Sequence, residues 1–323
     1  MRLIPNVQVI AVLAAGAAVV LTAQNARAQD QVLVGQTLLV GVNNGGSIVE
    51  NTVAGPTPTS PFIGIQYDKT GMGNYSLGYD FITPGDPYQY FSVGVNGSFA
   101  SNSYDHGNPL GFTTTNTSSG GTLQATSTGG SFGGLGLTQT LSFQNSGAGA
   151  GVIQYNVLLT NTTDAALTNV AYATGLDPDQ DVYFDSNYQT TNVIVSPNFI
   201  YATGVATAWT IGIQNTSAYT PTGTWIADDG WDFSDGSDRN PYNTTYGTAS
   251  GSLVGPGSNY ADDTINMDWN LGTIAAGATV DLTYNYVIAA TPSAAGAPDP
   301  ASTLGLLGLA LAGLGAVRRK LMA

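Results

Sequence analysis

The chain has 323 residues, 21 acidic and 7 basic side chains, a net charge of −14, 42% hydrophobic content, one histidine and no cysteine. Such an acidic balance excludes nucleic acid as a partner, because nothing would replace the phosphate counterions. Without cysteine no disulfide staples the fold, and with one histidine the ligands of a zinc or transition-metal centre are lacking.

Residues 1–28 predict a secretory signal peptide. Arg2 supplies a positive start, residues 7–23 are almost wholly apolar, and Ala26 and Ala28 flank Arg27 in the small-x-small pattern of a signal-peptidase site, with cleavage before Gln29. No cysteine follows the apolar run, so a lipoprotein anchor is excluded. The body, 29–290, then keeps only Lys69 and Arg239 as basic residues against nearly all the acids, of which Glu50 is the one Glu. That charge favours solubility, repulsion between copies and divalent cations.

Within the body, Gly, Asn, Ser, Thr and Asp abound, no stretch sustains a helical period, and alternation recurs. In 152–160, Ile153, Tyr155, Val157 and Leu159 share one face; in 264–271, Ile265, Met267, Trp269 and Leu271 do; in 279–288, Val280, Leu282, Tyr284, Tyr286 and Ile288 do. Further strands are expected at 32–42, 62–67, 75–82, 89–95, 135–143, 170–174, 192–195, 199–205 and 209–213. Together they predict an all-β fold, a large antiparallel β-sandwich of two packed sheets. It forms one unit, or two splitting near 113–150, where residues 113–134 read as a linker or a long hairpin. Residues 291–300 read as a flexible stalk.

Three aspartate clusters carry whatever chemistry the body has. Asp177, Asp179 and Asp181, followed by Asp185, have the alternate spacing with which a turning chain converges oxygens on calcium. The bland alternative is a solvated acidic loop turned by Pro178. Asp228, Asp229 and Asp232, with Asp235 and Asp238, are a second candidate calcium set, the alternative being an exposed loop pairing with Arg239. Asp262, Asp263 and Asp268 read as surface charge. Trp225 and Trp231 flank Asp228 and Asp229 and are expected to offer exposed rings to a glycan, whereas Trp269, Tyr284 and Tyr286 fall on apolar faces and should be core.

The tail, 301–323, has its own pattern. Pro298, Asp299 and Pro300 lead into fourteen residues, 304–317, with no polar side chain, closed by Arg318, Arg319 and Lys320. As a helix this run covers about 21 Å of a roughly 30 Å hydrocarbon core, a short transmembrane helix with its cations held in the cytoplasm. The tail resembles the PEP-CTERM sorting signal of Gram-negative bacteria, with Asp299 where that family usually has Glu. The resemblance covers about the last 26 residues. It implies an exosortase-like processing enzyme, transient anchoring in the inner membrane, an exopolysaccharide-producing host and delivery to the cell envelope or beyond. A second resemblance lies in residues 152–195, with an echo in 271–287. These look like β-sandwich segments of large bacterial surface proteins, which often carry calcium-binding repeats elsewhere, and the resemblance implies a non-enzymatic module.

Enzyme motifs are sparse. His106 sits in a turn-like context and no Gly-x-Ser-x-Gly elbow accompanies it; paired Glu is impossible with Glu50 alone; the Gly-rich stretches precede no helix and lack Lys. The expectation is a secreted, non-catalytic surface or matrix protein, calcium-stabilised. Its alternatives are a carbohydrate-binding module for exopolysaccharide and, less favoured, an Asp-dependent glycan hydrolase.

Overall fold

The computed structural model describes residues 30–50, 62–75, 80–85, 87–227, 240–242 and 253–295. The signal segment with Ala26 and Ala28, the tail with Pro298, Asp299, Pro300, Arg318 and Arg319, and the loop carrying Asp228, Asp229, Trp231 and Asp232 lie outside them.

The described residues form β1 (Gln31–Val34), β2 (Leu38–Val42), β3 (Ile65–Tyr67), β4 (Gln89–Val95), β5 (Ser98–Ser103), β6 (Thr113–Asn116), β7 (Thr122–Phe132), β8 (Leu135–Gln144) and β9 (Gly151–Asn161). There follow β10 (Leu167–Leu176), β11 (Thr190–Ser196), β12 (Phe199–Gly204), β13 (Thr210–Asn215), β14 (Gly223–Ala227), β15 (Leu253–Val254), β16 (Gly257–Ala261), β17 (Thr264–Ile274) and β18 (Thr279–Ala289). Two four-residue helices, α1 (Val182–Asp185) and α2 (Pro292–Ala295), complete them. None of the described helices is long and apolar enough to cross a membrane.

All strand pairs are antiparallel, in sheets ordered β1-β2-β3, β15-β14-β17-β10-β4-β5 and β16-β11-β12-β13-β18-β9-β8-β7-β6. The two larger sheets face each other across one core, to which Phe91, Tyr172, Ile265 and Trp269 come from the six-stranded sheet and Leu141, Tyr155, Ile213 and Tyr284 from the nine-stranded one. The small sheet adds Leu33, Val40 and Tyr67 to the same core.

Strand β9 shows why the alternation works: Ile153, Tyr155, Val157 and Leu159 are buried while Val152 and Gln154 are exposed. Tyr155 and Tyr284 stack at 4.8 Å and 7°, and Trp269 approaches Tyr284 at 5.6 Å. Such ring pairs add about 0.5–1.5 kcal/mol beyond area burial. Three phenols of this cluster are paired inside: the Tyr172 and Tyr284 hydroxyls lie 3.1 Å apart, and Gln89 Nε2 donates to the Tyr286 hydroxyl at 2.9 Å.

Several expectations are corrected. Residues 32–42 are two strands, because the chain reverses at Gly35–Thr37, where the Gly35 N–H donates to Leu38 O at 2.8 Å. Of the strand expected at 75–82, residues 76–79 lie outside the described residues; Asp80 makes a single antiparallel bridge to Gln66, and its carboxylate accepts N–H groups of Gly64 (2.8 Å), Ile65 (3.3 Å) and Ile82 (3.1 Å). Of the two readings of 113–134, linker or long hairpin, the hairpin is the one seen: β6 and β7 pair antiparallel, and Gly133–Gly134, with φ of +55° and +91°, makes the two-residue turn into β8. A type I′ turn needs positive φ at both positions, which glycine adopts without steric cost.

Candidate metal centre

Strand register assembles the site. Leu176, the last residue of β10, pairs with Ile265 near the start of β17, so the chain leaving β10 runs beside the turn entering β17. The Asp177 N–H donates to Tyr88 O at 3.1 Å and the Asp179 N–H to Phe81 O at 2.7 Å, which fixes this segment against the stretch before β4. Across from it, Asp262 and Asp263 form the two-residue turn between β16 and β17.

One carboxylate oxygen each from Asp177, Asp179 and Asp262 lies within 4.8 Å of the others. Asp177 and Asp179 are 6% and 1% exposed, and Asp262 is half-buried. At an effective dielectric near 20, each pair of full charges at such separation repels by roughly 3–4 kcal/mol. A cation or shared protons must offset this. The oxygen-only donor set suits a hard cation such as calcium or magnesium rather than a soft one. Asp263, also buried, accepts a short hydrogen bond from Asn259 Nδ2.

The other predicted residues do different work. The Asp181 carboxylate accepts from Ala206 N (2.6 Å), Thr207 N (3.3 Å) and Thr207 Oγ1 (2.5 Å), and so closes the β12–β13 turn. It lies so near Gly204 that a Cβ there would stand 2.2 Å from Asp181 Oδ1. Asp185 is exposed in α1 and accepts from the Asn187 N–H at 3.0 Å. The structure therefore joins Asp177 and Asp179 to Asp262, and it does not bring Asp181 or Asp185 into that group.

Reading 262, 263 and 268 as surface charge is corrected. Asp263 is 1% exposed, and Asp268 is 6% exposed because β17 lies between β14 and β10, with both faces of Thr264–Trp269 covered. Burial pushes the Asp268 carboxyl up to about 7, against a weaker opposing hydrogen bond from its own backbone N–H. Trp225 is fully buried in β14 and cannot offer an exposed face to a sugar ring, which corrects that expectation for Trp225, whereas Trp231 lies outside the described residues. His106 is exposed in a turn, its backbone N–H held by Ser103 Oγ at 3.0 Å.

No known family matches the chain, and no curated protein does. Among solved structures, a bacterial glucoamylase complexed with acarbose aligns with a TM-score of 0.48 and 10% identity over 83% of this chain and 32% of that one. A polysaccharide lyase aligns at 0.40 and 12% identity, over 77% and 33%. The heparan sulfate lyase HepC from Pedobacter heparinus, as a mutant, aligns at 0.32 and 10%, over 81% and 36%. The chain thus spans about a third of the length of each. These neighbours are enzymes, against the expectation of a non-catalytic protein, which rested on missing motifs and is not carried further. At such identities and TM-scores the likeness transfers no reaction, substrate or site to this chain.

Proposed function

We propose that this is an exported β-protein of the bacterial cell envelope whose Asp177, Asp179 and Asp262 bind calcium. The ion would tie the end of β10 to the β16–β17 turn and so join strands of the two large sheets. The observation that supports this reading is the convergence of three carboxylate oxygens, two of them on buried residues, from segments far apart in sequence. In a chain without disulfides, such an ion is a staple compatible with an oxidising compartment.

The destination rests on the ends: a signal-peptidase site at Ala26–Ala28, and a PEP-CTERM-like tail with Pro298, Asp299, Pro300, Arg318 and Arg319 that an exosortase-like enzyme would process after transient anchoring in the inner membrane. Intact mass of the secreted protein tests the tail: loss of everything beyond about Pro298 supports sorting, and a full tail refutes it.

Thermal unfolding in calcium and in chelator tests the metal. At a hundred-fold excess over Kd, an ion that binds only the folded state adds about 2.7 kcal/mol. For a body of this size that raises the midpoint by roughly 5–10 °C. Asp179→Asn should abolish the rise, and an unchanged wild-type midpoint refutes calcium binding.

A further inference from the structure

Nine large apolar side chains are exposed among the described residues; six are aliphatic and three aromatic. Phe184 (48% exposed) lies in α1, Tyr188 (41%) in the connection from α1 to β11, and Tyr260 (50%) on β16. Asn187 Nδ2 donates to the Tyr260 hydroxyl at 2.8 Å, which links the α1–β11 connection to the β16 edge strand. We infer that Phe184, Tyr188 and Tyr260 form a platform on which a neutral polysaccharide lies.

The rings are held in place. Phe184 meets Trp209 edge-on at 5.8 Å, and the half-buried Trp209 stacks on the buried Phe81 at 5.9 Å and 12°, so the exposed ring rests on an aromatic stack anchored in the core. The Tyr188 ring covers Gly85, where an added Cβ would stand 2.9 Å from Cε1. Between them, the Asn187 N–H donates to Asp185 Oδ1 and the Gln189 N–H to Asn187 Oδ1, both at 3.0 Å. A surface ordered in advance loses little side-chain entropy on binding.

The chemistry selects the ligand. An aromatic face covers the C–H face of a sugar ring while polar groups at its rim take up hydroxyls. Here the rim offers Asp185, Asn187 and the Tyr260 hydroxyl. Lys69, in the turn after β3, is the basic side chain among the described residues, while Asp177, Asp179 and Asp262 lie on the same side of the fold. A polyuronate or an anionic membrane would find the exposed Asp185 there and no Lys or Arg among the described residues beside the rings. The platform goes beyond the metal reading, since the rings are exposed whether or not an ion joins the carboxylates.

The test is native affinity electrophoresis of the full chain, in calcium, through gels containing dextran, mixed-linkage β-glucan or galactomannan, with hyaluronan, which calcium does not gel, as the polyanion. Retardation by at least one neutral polymer and not by hyaluronan is expected. Tyr188→Ala and Tyr260→Ala should each weaken it by about ten-fold, or 1.4 kcal/mol, with the melting midpoint unchanged. Tyr188→Phe, which keeps the ring, should bind as wild type. No retardation in any neutral gel, retardation by hyaluronan alone, or full binding by both alanine variants overturns the inference. Melting the same samples with calcium and with chelator keeps failure of the platform distinct from failure of the metal site.

Discussion

Asp268 offers the sharpest test of the electrostatics. Its carboxyl stands beside Gly223 of β14, where an added Cβ would come 2.2 Å from Oδ1, and that oxygen has no hydrogen-bond partner. Burial raises the group from 3.8 to about 7. A raised carboxyl binds its proton more tightly in the folded state. Its contribution to stability is therefore complete below pH 3.8 and is lost as pH rises through about 7. Three units correspond to about 4 kcal/mol, lost at about 1.4 kcal/mol per pH unit across that window. Asp268→Asn keeps the shape and removes the titration. Urea unfolding of both proteins in chelator from pH 4 to 8 isolates the effect, because all other groups titrate alike in the two. The difference curve should rise with pH in favour of the variant and level off above about pH 7. Parallel curves would refute a carboxyl held protonated by burial.

Two further outcomes concern buried polar atoms. Gln66 is fully buried on β3 and neither its Nε2 nor its Oε1 has a partner, so Gln66→Leu should raise stability by about 1–3 kcal/mol in denaturant titration. A loss of stability would mean that the amide is satisfied in solution. The Tyr155 hydroxyl is likewise orphaned, while that of Tyr286 pairs with Gln89 Nε2 at 2.9 Å and Thr174 Oγ1 at 2.7 Å. Tyr155→Phe should therefore be neutral or stabilising and Tyr286→Phe should cost about 1–2 kcal/mol. The reverse order would contradict the hydrogen bonding inside the sandwich.

What the sequence revealed and what it hid follow one physical division. A strand with one face in the core and one in water writes its state in alternating residues, as β9 and β18 do, and those were legible. Strand β5, Ser98–Ser103, is small and polar apart from Phe99, and β7 is rich in Thr, Ser and Gly; both are recruited by neighbouring strands rather than by apolar periodicity, so no local pattern announces them. The same division governs the acids. Asp177, Asp179 and Asp181 are indistinguishable as a local x-D-x-D-x-D run, yet the first two turn toward Asp262 and the third is consumed by the backbone of the β12–β13 turn. Asp262 meets its partners only because Leu176 pairs with Ile265, a non-local register that alternation cannot specify. Spacing therefore marked candidate oxygen ligands by type, while pairing between distant strands decided which of the carboxylates converge. If that is right, moving the register should matter more than adding charge. A one-residue deletion in the β16–β17 turn should abolish the calcium-dependent rise in melting temperature even with all three aspartates present, whereas Asp185→Asn, one carboxylate fewer in the original run, should leave it intact.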